Sequence, residues 1–460
     1  MAELVSTELD YSTPSVSHAS NFFVKTLPLN NQTTLTLTTS TVPLTVVSAN
    51  RAFNMARSRI EGDLTFAANG AGNFSYTWAD LKGLFQQIQI TAQNSSQQIV
   101  NLTYADKTFV GLSPLTTTQS KLLAKPSPTT SISTTAITPA FTSQAIAQQN
   151  RCSDIGKSNA LINPDGNGND GYEPWISVKK VFVSGSANAT CYLSFSIPLG
   201  AFDWTVASFD KLIDWGQPIQ FDFQVNKTTA FTWLSTSAIN PSTGAGASTG
   251  QIQLLNPVIN FCYDSNQEIA QSLRTRILSS GIELKVPYLY TFKNACSGIS
   301  HNFTINVSSA MGQKLLFSAI FPYNSTESNN TYFDHSLTTL LANWTSATYF
   351  TTWDSQVINT QSAIDLFQSQ AYFTNIQALK DSCVMNSSDF IINFALINSW
   401  LGGSLSTQPR NAVDGLDITP GNHTFALNLT ASGTSTSTQY YTVLCVQRTL
   451  RISGAGVELI

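Results

Sequence analysis

Across 460 residues only 11% are Asp, Glu, Lys or Arg, less than half of the ~25% usual in soluble domains, so the surface is polar but largely uncharged. A formal net charge of -4 leaves no basic excess to neutralise phosphates, which excludes sequence-specific nucleic-acid binding as the main role. The length exceeds one ordinary core and suits two domains of roughly 200 residues or more.

The opening stretch MAELVSTELDYSTPSVSHAS places acids where an export signal needs positive charge, and no apolar run follows. No secretory leader is expected, and residues 1–20 read as an N-terminal arm. Nowhere does an apolar segment reach ~18 residues, so no transmembrane segment is predicted.

From residue 21 to 265 a period of two recurs, the mark of strands with one buried face. It runs through TTLTLTTS (Leu35, Leu37), SRIEGDLTF (Ile60, Leu64, Phe66), FQQIQITAQ (Ile88, Ile90), CYLSFSIPL (Leu193, Phe195, Ile197, Leu199) and PIQFDFQV (Ile219, Phe221, Phe223, Val225). IQLLNPVINFCY adds a more continuous apolar run. Between these strands, residues 112–150 and 236–250 are rich in Ser and Thr and almost without charge, and they read as long loops.

At SNQEIAQSLRTRILSSG the period changes. Ile269, Leu273 and Ile277 recur every four residues, with Ser265 as an N-cap candidate and Gly281 beyond the end, which predicts a helix over 266–280 that joins two domains. Alternation then resumes over 281–460, in GIELKVPYLY, HNFTINVS, KLLFSAIF, DFIINFALI (Phe390, Ile392, Phe394, Leu396), HTFALNLT and YYTVLCVQRTLRI. Residues 324–388 form a third excursion with a helix-like stretch SAIDLFQSQAYFTNIQALKDS, and the aromatic content predicts that it is ordered. Strands of this kind, joined by loops of very unequal length and lacking any short fixed repeat, fit two antiparallel Greek-key sandwiches.

The chemistry-bearing motifs are weak. NPDGNGNDGYEPW (163–175) offers oxygens from Asp165, Asn167, Asn169 and Asp170, but a calcium loop needs Gly sixth and Glu twelfth, where Asp170 and Ile176 stand. A Gly/Asn-rich turn is the simpler reading. DIGKS lacks the first glycine of a phosphate loop, which would fall at Arg151, and GAGASTG misses the dinucleotide fingerprint by one residue. His18, His301, His335 and His423 are isolated from one another and read as surface or capping residues. Asp203, Asp210 and Asp214 beside Trp204 and Trp215 could imitate a glycosidase pair, but acids flanking a turn are the default. No catalytic residue, cofactor site or metal site is therefore assigned.

Cys152, Cys191, Cys262, Cys296, Cys383 and Cys445 form no C-x-x-C pair. Cys262 and Cys445 lie within apolar runs, where a thiol acts as a small hydrophobe, and most of the six are expected to be free. Fourteen N-x-S/T triplets, Asn31, Asn73, Asn101, Asn188, Asn302, Asn343 and Asn428 among them, would suit a secreted or surface glycan-binding adhesin. In a chain so rich in Asn, Ser and Thr such triplets arise from composition, and without a leader they carry little. Arg51, Arg57 and Arg59 are the densest basic cluster, for which an ion pair with a neighbouring subunit is preferred over a solvated strand end.

Taken in order, RAFNMARSRIEGDLTF, LSFSIPLGAFDW with KLIDWGQPIQFDFQVN, SGIELKVPYLYTF, LKDSCVMNSSDFIINFALINSW and YYTVLCVQRTLRISGAGVEL resemble the double jelly-roll major capsid proteins of tailless icosahedral double-stranded DNA viruses, the virophage and Polinton-like group most of all. The resemblance covers about residues 30–460 as patterns of hydrophobicity and turns, without a sharp motif. It implies an all-β chain of two tandem eight-stranded jelly rolls, in a homotrimer that forms a pseudo-hexameric capsomer. It also implies neighbouring capsomers, penton and minor capsid proteins as partners, the virion as location, and no catalysis.

Overall fold

The computed structural model describes residues 21–29, 33–37, 42–67, 74–78, 81–116, 130–132, 176–183, 189–225, 231–235, 251–265, 267–324, 348–362, 396–401, 415–419, 421–430 and 438–460. Eight principal strands lie in the first half: β1 (Asn21–Thr26), β2 (Val42–Val47), β3 (Phe53–Ala67), β4 (Phe85–Ala92), β5 (Gln97–Leu102), β6 (Ala189–Pro198), β7 (Ile219–Val225) and β8 (Gln251–Asp264). Eight more lie in the second: β9 (Ile282–Cys296), β10 (Ser300–Ser308), β11 (Lys314–Asn324), β12 (Thr348–Trp353), β13 (Gln356–Ser362), β14 (Leu396–Ser399), β15 (Asn422–Thr430) and β16 (Thr438–Ser453). Among the described residues two α-helices accompany them, α1 (Ala105–Thr116) and α2 (Gln267–Ser280).

The first eight strands form sheets ordered β1-β8-β3-β6 and β2-β7-β4-β5, and the second eight form β9-β16-β11-β14 and β10-β15-β12-β13. Each half thus repeats one order, first-eighth-third-sixth against second-seventh-fourth-fifth, with antiparallel pairing throughout. This is the jelly roll, two interlocked Greek keys, as the strand pattern and the resemblance imply. Ile176–Val183 extends the first large sheet beyond β6, and Gly456–Leu459 pairs with β16 in the second. Phe74–Trp78, Thr130–Ile132 and Phe231–Ser235 form a separate three-stranded sheet.

Alternation decides which face is buried. On β7, Ile219, Phe221, Phe223 and Val225 are buried while Gln220, Asp222 and Gln224 are less so. Phe221 and Phe223 sit opposite Val46 and Leu44 on β2, and opposite Ile90 and Ile88 on β4. Across the sandwich, the Phe221 ring meets Phe53 of β3 at 6.5 Å and Phe261 of β8 at 5.4 Å, so aromatic side chains bridge the two sheets. On β16 burial is continuous from Tyr440 to Gln447, on both faces of the strand, which accounts for the apolar stretch around Cys445.

The helix between the halves runs from Gln267 to Ser280. Ser265 stands two residues before its start, so the usual capping position falls to residue 266, outside the described residues. At the other end Gly281 has φ +70 and donates its N–H to Ile277 O at 3.1 Å, the left-handed cap the sequence predicts.

Two expectations are corrected. The region read as a loop from residue 112 begins inside α1, which continues to Thr116. The third excursion contains the β12–β13 hairpin at 348–362. Its turn is Asp354-Ser355, both at positive φ, and lacks the Asn-Gly or Asp-Gly signature that would have betrayed a hairpin. The helix-like stretch from residue 363 on, together with Phe390, Ile392 and Phe394, lies outside the described residues.

Candidate functional site

The acids beside tryptophans do not form a cleft. Trp204 and Trp215 are fully buried and offer no face to a sugar. Asp214, also buried, accepts from Arg274 Nε at 2.9 Å and Nη2 at 3.2 Å and from the Gly216 N–H at 2.9 Å. Asp210 accepts from Arg57 Nε at 3.0 Å and Asn54 Nδ2 at 2.7 Å. Asp203 lies in the turn after β6. Among the described residues no group of three or more His, Cys, Asp or Glu could hold a metal ion. The 163–175 loop lies outside them.

Each arginine of the basic cluster has a partner within its own chain. Arg57 pairs with Asp210. Arg59 donates to Ser196 Oγ at 2.7 Å and Ser196 O at 2.9 Å, and that hydroxyl donates to Glu61 at 2.8 Å. Arg51 donates to Asp264 O at 3.2 Å and lies 4.9 Å above the Phe22 ring. Sequence spacing brought these three to one strand entry, but register, invisible in a linear reading, chose their partners.

The histidines divide. His423 meets Asp354 at 2.7 Å and stacks on Trp353, near the surface. His301 is buried, against expectation: its Nδ1 meets Tyr440 Oη and its Nε2 the Gly298 carbonyl at 3.0 Å. Burial pushes its pKa below the ordinary value. His18 and His335 lie outside the described residues. Cys262 and Cys445 are free and buried, and Cys296 is free and partly buried; burial raises the Cys262 thiol to about 11. Of the sequon residues named above, Asn101, Asn302 and Asn428 lie in β5, β10 and β15, and the last two face each other across one strand pair.

What the fold does assemble is a seam between the two rolls. β9 and the C-terminal strand Gly456–Leu459 lie against β5. Tyr288 of β9 meets the Asn101 backbone of β5, and burial pushes its pKa up to about 12. Thr291 shares a hydrogen bond of 2.7 Å with Thr108 of α1, Tyr441 packs edge-on against Tyr104 at 5.4 Å, and Phe317 of β11 meets Trp204 at 5.0 Å. Arg448 sits 5.4 Å over the Tyr288 ring and donates to Leu459 O at 2.8 Å, fastening the C-terminal strand in place. From α2, Leu273 and Ile277 are buried while Arg274 reaches Asp214 of the first roll. One hydrophobic cluster runs through both halves.

Among the described residues, β1 and β13 each stand at the end of a sheet. Seven of the ten exposed large apolar side chains among the described residues lie on or beside these two strands: Phe23 and Val24 on β1, Leu27 and Leu29 in the segment after it, whose Leu29 N–H reaches Thr45 O of β2 at 2.9 Å, Val357 and Ile358 on β13, and Phe350 on the adjoining β12. Solitary exposed hydrophobes are ordinary, but clusters on strand edges mark association surfaces. Sequence reasoning passed over both. The only signal was an apolar content in NFFVKTLPL and FTTWDSQVI too irregular to read as alternation.

No family model and no curated protein sequence matches the chain. Solved structures do. A chain of the Sputnik virophage structure determined by cryo-EM aligns over 100% of this chain and 91% of its own, with 11% identity and a TM-score of 0.51. The mavirus major capsid protein aligns over 100% and 93%, with 9% identity and a TM-score of 0.51. At such identities the likeness is one of fold, the double jelly roll.

Proposed function

We propose that this chain is a structural major capsid protein, without catalysis, which forms trimeric pseudo-hexameric capsomers in the shell of an icosahedral double-stranded DNA virus. The observation that carries the reading is the duplicated strand order, repeated eight strands later over the full chain. Its likeness in fold to chains of the Sputnik virophage and of the mavirus major capsid protein supports it. An upright pair of sandwiches leaves flanks that only a neighbour can cover, and the exposed apolar edges at β1 and β13 are such flanks.

On this reading residues 21–265 and 281–460 are one roll each, 266–280 is the connection, and the arm 1–20 laces adjacent capsomers. Neighbouring capsomers, penton and minor capsid proteins are the partners, assembly takes place inside the host cell, and the virion is the destination. The trimer is obligate, with ~2,000 Å2 or more buried, as in permanent interfaces.

Light scattering coupled to gel filtration tests the proposal. The expected mass is three times 49.9 kDa, with hexagonal outlines in negative stain. A clean monomer at micromolar concentration overturns it, and a monomer retained on a glycan column would restore the adhesin reading.

A further inference from the structure

The two rolls repeat one hairpin irregularity and one first-to-eighth strand pairing, and the two copies differ in exposure. In each roll the fourth and fifth strands form a hairpin whose register slips by one residue. In the first, Ile90 faces Val100 and Thr91 faces Gln98, leaving Ile99 as the extra residue of a bulge. In the second, Thr351 faces Asn359 and Thr352 faces Val357, leaving Ile358 in the same role. The same side chain thus occupies the same place twice. Ile99 is 1% exposed, on the strand against which the second roll lies; Ile358 is 39% exposed.

The covering element is duplicated as well. β9, the first strand of its roll, pairs with the eighth strand β16 and lies against β5. β1 is its counterpart, pairing with β8, with no further strand on its other side among the described residues. Leu289 on β9 sits opposite the buried Cys445 and is 3% exposed. Phe23 on β1 sits opposite the buried Cys262 and is 54% exposed.

We infer that the β12–β13 bulge, with Phe350, Val357 and Ile358, is the seat of strand β1 from a second copy of this chain, with Phe23, Val24 and Leu27 as the covering side chains. The inference rests on the trimeric reading and supplies its contact surface. β1 on β13 repeats between copies the contact that β9 makes on β5 within one. The contact is head-to-tail: each copy uses its β1 on one neighbour and offers its β13 to another, and three copies close the ring.

Three variants of the full chain test it: Phe23→Asp, Ile358→Asp, and Ile460→Asp as an exposed position outside the surface. A charge forced into a packed apolar contact costs it most of its affinity. Phe23→Asp and Ile358→Asp should each convert the trimer peak to 49.9 kDa at micromolar concentration with an unchanged circular dichroism spectrum, and Ile460→Asp should remain trimeric. A trimer retained by either β1 or β13 variant overturns the inference and leaves the trimer standing; a monomeric wild-type chain overturns both. Should either variant misfold, a Phe23→Cys/Val357→Cys chain treated with a short bismaleimide decides. Cross-linked dimers and trimers, absent from each single-cysteine chain, support the inference, and their absence overturns it.

Discussion

Arg274, on the helix that joins the rolls, holds the buried carboxylate of Asp214 through two nitrogens, at 2.9 and 3.2 Å. The same guanidinium donates to Asn50 at 2.9 Å, so one half-exposed side chain ties α2 to two places on the first roll. Arg274→Ala should destabilise the chain by about 2 kcal/mol in equilibrium urea denaturation, because it leaves a buried charge with only the Gly216 N–H and solvent at its margin. Adding Asp214→Asn removes that charge, so the double variant should be more stable than Arg274→Ala alone. Equal midpoints for wild type and Arg274→Ala would mean that the pair contributes nothing.

Gly281 ends α2 at φ +70, and a Cβ placed there would come within 3.3 Å of Ile452 O on β16. An L-residue at such a φ costs about 1 kcal/mol, and the close carbonyl adds to it. Gly281→Ala should therefore lower the denaturation midpoint by an amount equivalent to ~1–2 kcal/mol. Gly216→Ala is the comparison: its φ of +67 is similar, but nothing lies within 4 Å of the added carbon, so it should cost less.

The sandwich strands were legible because burial on one face imposes a period of two, as on β7 with Ile219, Phe221, Phe223 and Val225 inward. Gly281 was legible because only a helix C-terminus would place a glycine directly after Ile269, Leu273 and Ile277. The edge strands β1 and β13 were not. Their side chains are exposed in an isolated copy, so neither period nor composition separates them from loop. The partners of Arg51, Arg57 and Arg59 escaped for another reason. Asp210, Ser196 and Asp264 lie at least 137 residues away in sequence, and only the antiparallel pairing of β3 with β6, with β8 and with the short strand Leu212–Ile213 brings them together. The candidate site is thus written in what the fold leaves uncovered, which a linear pattern does not record.

Cys262 and Cys445, buried on the two eighth strands, should be inert in the folded protein. With burial raising the Cys262 thiol to about 11, its thiolate at pH 8 is roughly one part in a thousand, and the nucleophile is the thiolate. Iodoacetamide at pH 8 followed by peptide mass spectrometry should leave both unmodified in native protein and label both in guanidinium. Rapid labelling of Cys262 in the native protein would mean that β8 opens locally far more often than its burial implies.

His301 makes stability depend on pH in a defined direction. Burial is the largest cause of its lowered pKa, and the Gly298 carbonyl opposes that shift. In the unfolded chain the imidazole titrates near 6.5; in the folded chain it stays neutral to lower pH. Below pH 6.5 the unfolded state therefore binds the extra proton, and stability falls as pH drops from 6.5 until the folded pKa is reached. Asp354 and Asp417, whose carboxyls are held below the ordinary value chiefly by hydrogen bonds from His423 and from the Thr419 N–H, lose their contribution only below about pH 4. Between pH 7 and 5 the urea midpoint of the wild type should decline. His301→Gln, which keeps a polar side chain beside Tyr440 and Gly298 but cannot take up a proton, should lower the midpoint at pH 7 and flatten the decline. A slope unchanged by the substitution would assign the acid sensitivity to other groups.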